Sequence, residues 1–243
     1  MTFIDVTQPG IKNSQGRAHI IPATIRAIEE IFTKMGFEIA QAHEVELEKY
    51  NFDALNILPD HPARDMQDTF WVAGAQETVL RTHTSNTQVQ YMEDHEPPIR
   101  IIAPGRVYRN ESIDATHEAQ FHQCEGLVVG KNISLANLKH VLLEFLTEYF
   151  ENPDIQIRFR PGYFPFVEPG IEVDISRDGG ESWIEVLGAG MVHPNTLKAG
   201  GIDPEEFQGF AFGMGIERLV MLKYGVDDIR SFYDGNIDFL KQF

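Results

Sequence analysis

The chain has 243 residues, enough to bury one large core, and its 42% hydrophobic content is that of an ordinary globular protein. Twenty Lys and Arg against 37 Asp and Glu leave a formal charge of −17, the wrong sign for a surface that grips a phosphate backbone unaided, so the acidity reads as solvated surface. The lone Cys124 excludes an internal disulfide and a multi-cysteine zinc site, and no run approaches the roughly 18 apolar residues of a membrane span, so a cytoplasmic protein without membrane association is expected.

Residues 1–19 hold Pro9, Gly10, Asn13 and Gly16 without any period and read as an irregular lead-in to a single domain over 1–243. Pro22 to Gly36 reads as a helix, with Ile25, Ile28, Phe32 and Met35 on one stripe and a glycine stop. Phe37 to Ala40 is a short strand. Residues 50–69 carry Pro59, Pro62 and several Asn and Asp without a period, which predicts a long functional loop. Ile101 to Val107 and His122 to Val129 read as strands flanking a polar loop. A second helix runs from its cap Ser134 to Phe150, with Leu138, Leu142 and Phe145 on its apolar face. Ile155, Ile157 and Phe159 alternate with Gln156, Arg158 and Arg160 as in a half-buried strand. Trp183 to Leu187 and Phe207 to Gly213 extend the sheet, and Ile216 to Tyr224 closes as a helix before Gly225, with His193 and Pro194 between them read as a structural turn. This order predicts an α+β fold on a mainly antiparallel sheet flanked by helices.

Three groups of residues bear chemistry. Tyr108-Arg109-Asn110-Glu111 ends one strand and Phe121 to Gly126 begins the next. Alternation then places Arg109 with Glu111, and Gln123 with Glu125, so that an anion and an ammonium can be held side by side. A solvated hairpin rim fits those residues equally well. Gly209 to Arg218 runs from a strand through glycines into a helix, where a flat ligand can approach the backbone and Arg218 can reach a phosphate; a plain structural turn is the alternative. Glu168, after Tyr163-Phe164-Pro165-Phe166, and Glu185, among apolar neighbours, are hard oxygen ligands of the kind that suit Mg²⁺ beside phosphates; exposed carboxylates on a strand's solvent face are the alternative.

From Val6 to Phe243 the chain resembles the alpha subunit of bacterial phenylalanyl-tRNA synthetase. Asn51-Phe52-Asp53-Ala54-Leu55-Asn56, His61-Pro62-Ala63-Arg64, Asp68-Thr69-Phe70-Trp71, Arg81-Thr82-His83-Thr84-Ser85, the Arg109 hairpin, Phe164-Pro165-Phe166 and Gly209 to Arg218 carry the resemblance. It implies a class II aminoacyl-tRNA synthetase catalytic domain that activates phenylalanine with ATP and Mg²⁺ and transfers it to tRNA(Phe). It further implies that Arg109 spans the α-phosphate and the substrate carboxylate, that Arg218 and His117 meet the triphosphate, and that Phe121 stacks on adenine. Trp71, His83, Ser85, Gln88, Glu111, Gln123 and Glu125 then surround the substrate's carboxylate and ammonium. Phe164 and Phe166 form an aromatic wall, Ala211 and Gly213 the pocket floor, and Glu168 holds Mg²⁺, with Glu185 second in line.

The family's alpha subunit pairs with a beta subunit and begins with a helical arm that reaches tRNA. Nothing before Val6 resembles that arm, so weak tRNA binding by this chain alone is expected. Ala42-His43 stands where the family's first motif has Gly-Pro, which bears on subunit contacts more than on chemistry. The rival expectation is a non-catalytic synthetase-like protein that senses an amino acid or regulates a partner. Such a protein has no need of phosphate-binding groups, whereas Arg109, His117 and Arg218 are all present.

Overall fold

A computed structural model describes residues 16–64 and 69–243; positions 1–15 of the lead-in and Asp68 lie outside the described residues. Helix α1 spans Ile20–Lys34, starting two residues before the expected proline. Pro22 sits in its first turn, where a missing N–H breaks no bond, and the His19 ring caps the start by accepting from the Ile21 N–H at 3.1 Å. Gly36, at φ 81°, ends it in a conformation that favours glycine.

Strands β1 (Glu38–Ile39), β2 (Val45–Leu47) and β3 (Thr78–Leu80) bracket the expected loop of residues 50–69. That stretch is a correction: helix α2 (Glu48–Asn51) and 3₁₀ turns at Asp53–Leu55 and Pro62–Arg64 occupy it. Their short length hides any period, yet Phe52, Ala54, Leu55 and Ile57 are buried. Helix α3 (Asn86–Asp94) was also not legible, because it buries polar residues, Asn86, Thr87 and Gln88 among them.

The long strands are β4 (Ile99–Tyr108), β5 (Gln120–Gly130), β6 (Gln156–Phe164), β7 (Val167–Ser176), β8 (Ile184–Val192) and β9 (Gln208–Gly215). Helix α4 (Leu135–Phe150) starts with a reciprocal capping box between Ser134 and Asn137. Helix α5 (Pro194–Ala199) begins where a plain turn was expected, and α6 (Ile216–Tyr224) and α7 (Ile237–Leu240) complete the order. The seven-stranded sheet runs β1-β4-β5-β9-β8-β7-β6, antiparallel except for β1 against β4.

The two-residue period of the strands sorts the core into two layers. Ile102, Cys124, Val128, Phe210, Phe212 and Met214 face α1, α4 and α6. Ile101, Leu127, Val129 and Ala211 face the opposite way, towards Phe52, Leu55, α3 and α5. Within the first layer the Phe212 ring lies across its strand partner Gly126, where a Cβ would fall 2.1 Å from it.

Candidate active site

Residues of β5 with the parity of Leu127 point away from the helical layer, which sends Gln123 and Glu125 to the second face of the sheet. There a cleft of about 890 Å³ opens over β5, β8 and β9. At one end Glu125 lies 5% exposed and accepts from the Thr84 N–H at 3.2 Å and the Gln88 amide at 2.8 Å. Burial pushes its carboxyl up to about 7, against the opposing pull of Ser85, Thr84, Gln88 and Arg109. His83 donates through Nε2 to the Asn51 carbonyl at 3.0 Å, and burial with Arg109 nearby pushes its pKa down to about 3. The ring is therefore neutral, and its Nδ1 is an acceptor without a partner; Gln123 Oε1 is a second. A carboxylate and two unpaired acceptors converging in this way suit a ligand ammonium.

Another part of the cleft is cationic. Arg109 follows β4 directly, donates through Nε to the Thr82 carbonyl at 3.2 Å and lies over the Phe121 ring at 5.0 Å. His117 sits in the loop between β4 and β5, 3.0 Å from Asp114, and Arg218 projects from the first turn of α6. Arg109, Glu111, His117 and Arg218 line both the cleft and a side cavity of about 150 Å³ whose wall includes Phe121. Bonds from Arg109 N–H to the Ala119 carbonyl and from Ile229 N–H to the Ala115 carbonyl, both 2.9 Å, anchor the loop.

Beside the acceptors, where Glu125 pairs with Gly213 and the Phe166 ring lies 6.5 Å from that of His83, Phe164 and Phe166 stand with ring centroids 6.0 Å apart in the cleft wall with Ala211 and Gly213. Gly188 makes room for them, since a Cβ there would meet the Phe164 ring at 2.7 Å. Val186, Leu187 and Ile57 complete the apolar wall.

Sequence reasoning gave no role to two buried ions that position these groups. Arg81, 4% exposed, donates to the Arg106 and Ala42 carbonyls at 2.8 and 3.1 Å and lies against Gly105. Glu217, 1% exposed, accepts from the His122 N–H at 3.0 Å, from the His122 ring at 2.8 Å and from the Tyr233 hydroxyl, tying α6 to the strand that carries Phe121. A charge in a helix's apolar stripe was the signal available for Glu217.

The family of tRNA synthetases class II core domain (F) matches residues 3–243. The phenylalanine-tRNA ligase alpha subunit of Teredinibacter turnerae is 54% identical over 99% of this chain and 72% of its own length. The alpha subunits of Xanthomonas euvesicatoria and Klebsiella pneumoniae are 52% and 55% identical at the same coverage. The chain belongs to the phenylalanine-tRNA ligase alpha subunits. The crystal structure of pyrrolysyl-tRNA synthetase from Desulfitobacterium hafniense has the same fold, with a TM-score of 0.69 at 18% identity over 89% of this chain and 74% of that one.

In this ligase family member two expected site residues are not among those that line the cleft. Trp71 is bridged to Val79 and packs beside Phe52, at 6.5 Å, in the second core layer, its indole N–H buried without a partner. Glu168 is 76% exposed and faces His193 Nε2 at 3.4 Å, outside the cleft lining. Glu185 does line the cleft and accepts from Arg160 at 3.0 Å. The β7–β8 register pairs Asp174 with Glu185 but Val167 with Val192, so the two glutamates lie about 20 Å apart at ~3.3 Å per residue and cannot share an ion. Among the described residues no three acidic, His or Cys groups cluster for a metal. No described helix is long and apolar enough to cross a membrane.

Proposed function

We propose that this chain is the catalytic subunit that joins phenylalanine to ATP as phenylalanyl-adenylate, releases pyrophosphate, and passes the phenylalanyl group to tRNA(Phe) in company with a beta subunit. What supports this is one cleft that brings together ammonium acceptors, an aromatic wall beside them and cationic groups, the set an amino acid and a triphosphate require. The substrate ammonium meets Glu125, His83 Nδ1 and Gln123 Oε1, with Ser85 and Gln88 holding the carboxylate of Glu125 in place. Its ring packs edge to face against Phe164 and Phe166, over Ala211 and Gly213.

A carboxylate oxygen of the substrate then attacks the α-phosphorus in line and the bond to pyrophosphate breaks. No general base is needed, because the nucleophile is already ionised at neutral pH. Arg109 spans the two reacting anions and lowers their repulsion, while Arg218 and His117 take up the charge that grows on the leaving pyrophosphate. Phe121 offers its ring to adenine beside Arg109. Mg²⁺ bound to the phosphates would neutralise further charge; such an ion needs only one or two protein carboxylates, and Glu185 on the cleft wall is the residue that would hold it.

Exchange of labelled pyrophosphate into ATP, with and without the beta subunit, tests the proposal. Exchange that depends on phenylalanine is expected. Phenylalanine binding without exchange in either case would favour an amino-acid sensor.

A further inference from the structure

We propose that Asn56 is a positioning residue that fixes the aromatic wall of the amino-acid pocket and thereby the para-substituents it admits, an inference that rests on the phenylalanine reading above. Strand β6 ends at Phe164 and pairs there with Val167, so Pro165 and Phe166 form a tight turn between β6 and β7. The place of that turn's backbone sets how far both rings reach over Ala211. Besides the pairing of Phe164 with Val167, the turn is tied down from outside. Phe166 O accepts from the His193 N–H at 2.9 Å, and Pro165 O accepts from the Asn56 amide at 2.8 Å.

Asn56 is suited to this task by its backbone. It follows the Asp53–Leu55 turn at φ 59° and ψ 23°, a left-handed conformation that glycine, asparagine and aspartate adopt with least strain. Of these three, asparagine alone can also donate to a carbonyl. A carbonyl only accepts, so the Asn56 nitrogen must face Pro165, and its oxygen then accepts from Asn195 Nδ2 at 3.0 Å. Asn195 is held in turn by its own N–H, which donates to His193 Nδ1 at 3.0 Å. The turn is thus clamped to the start of α5 on one side and, through fully buried Leu55, to the core on the other. A strained backbone, an amide with one permitted orientation and a cleft-lining acceptor meet at one residue.

The test uses Asn56→Gly, Asn56→Asp and Asn195→Ala in the chain assembled with its beta subunit, with pyrophosphate exchange measured for phenylalanine and para-chlorophenylalanine. Asn56→Gly keeps the left-handed backbone and removes the tether. Its KM for phenylalanine is expected to rise about tenfold, the effect of one lost hydrogen bond, with the KM for ATP unchanged. The para-chloro to phenylalanine ratio of kcat/KM should rise too. Asn56→Asp sets a carboxylate against the Pro165 carbonyl and should do more harm; Asn195→Ala only frees the amide and should do less, in the same direction. Parental KM and ratio in both Asn56→Gly and Asn195→Ala would overturn the inference, as would an equal rise in the KM for ATP, which marks general loosening. A parent enzyme without phenylalanine-dependent exchange would instead overturn the function, and the inference with it.

Discussion

Glu125 makes phenylalanine binding depend on pH, and the size of the effect follows from its surroundings. The carboxyl is pushed from 4.5 up to about 7 by burial, which outweighs three hydrogen-bond donors and the charge of Arg109. Arg81 and the neutral His83 are its other titratable neighbours. A shift of that size corresponds to about 3 kcal/mol between the two protonation states. In the unliganded protein the sign is unfavourable to ionisation: the folded state holds the proton more tightly than the unfolded chain. This contribution to stability is therefore full below pH 4.5 and is lost as pH rises from 4.5 to about 7. An arriving ammonium reverses the preference, because it pairs with the ionised form. With a pKa of about 7, about one tenth of the sites are competent at pH 6 and about nine tenths at pH 8, so the apparent Kd for phenylalanine should fall about tenfold over that range. The amino acid's own groups do not titrate there. Calorimetry in two buffers of different ionisation enthalpy should detect close to one proton released per phenylalanine bound at pH 6 and almost none at pH 8. A Kd that is flat from pH 6 to 8, with no proton release, would refute the assignment of Glu125 to the ammonium.

Arg109→Ala should lower pyrophosphate exchange by about 3 kcal/mol of transition-state stabilisation or more, with the fold intact by circular dichroism; a near-parental rate would remove Arg109 from the reacting centre. Glu185→Gln should raise the Mg²⁺ concentration at half-maximal exchange, because an amide lacks the charge a hard cation prefers. Glu168→Gln, titrated alongside, should match the parent, and the reverse pattern would move the ion to the outer glutamate. Ala211→Gly removes a methyl from the pocket floor and should admit para-chlorophenylalanine, at a stability cost of about 1 to 2 kcal/mol from lost burial and strand entropy. An unchanged para-chloro to phenylalanine ratio of kcat/KM would mean that Ala211 does not floor the pocket.

What was legible in the sequence was what strand and helix periods encode. The parity that puts Gln123 and Glu125 on one face also pairs Glu125 with Gly213 and Leu127 with Ala211, so the meeting of the proposed ammonium acceptor with the proposed pocket floor follows from alternation once β5 and β9 are neighbours. The stripes of α1 and α4 gave the helical layer in the same way. Strand β7 was missed because Glu172 and Asp174 interrupt its apolar run; Asp174 is only 2% exposed, and its charge is met by Arg158 and Arg160 on the neighbouring strand. A buried charge reads as surface until its partner is known. Trp71 and Glu168, expected at the site from the resemblance, are outside the cleft lining because their surroundings are decided by distant chain: Phe52 and Val79 pack against the one, and the start of α5 faces the other.

The net charge of −17 and a triphosphate substrate are reconciled by where the acids are held. Asp174, Glu172 and Glu185 share Arg160, and Glu217 is spent on the backbone and ring of His122 and on Tyr233. Asp114 is kept ionised beside His117 by the donors of Thr116, the Thr116 N–H foremost, and of His117. Each of these carboxylates is matched locally by donors or cations, which weakens its field, including that of Glu185 on the cleft wall. Arg109 and Arg218, by contrast, project into the cleft wall. Whole-chain charge is a sum over surface that screening divides at about 8 to 10 Å, and within that distance of the phosphates the arginines set the sign. An acidic protein can therefore bind ATP tightly by this route, while a polynucleotide, which samples the surface beyond one cleft, still meets the repulsion of the whole.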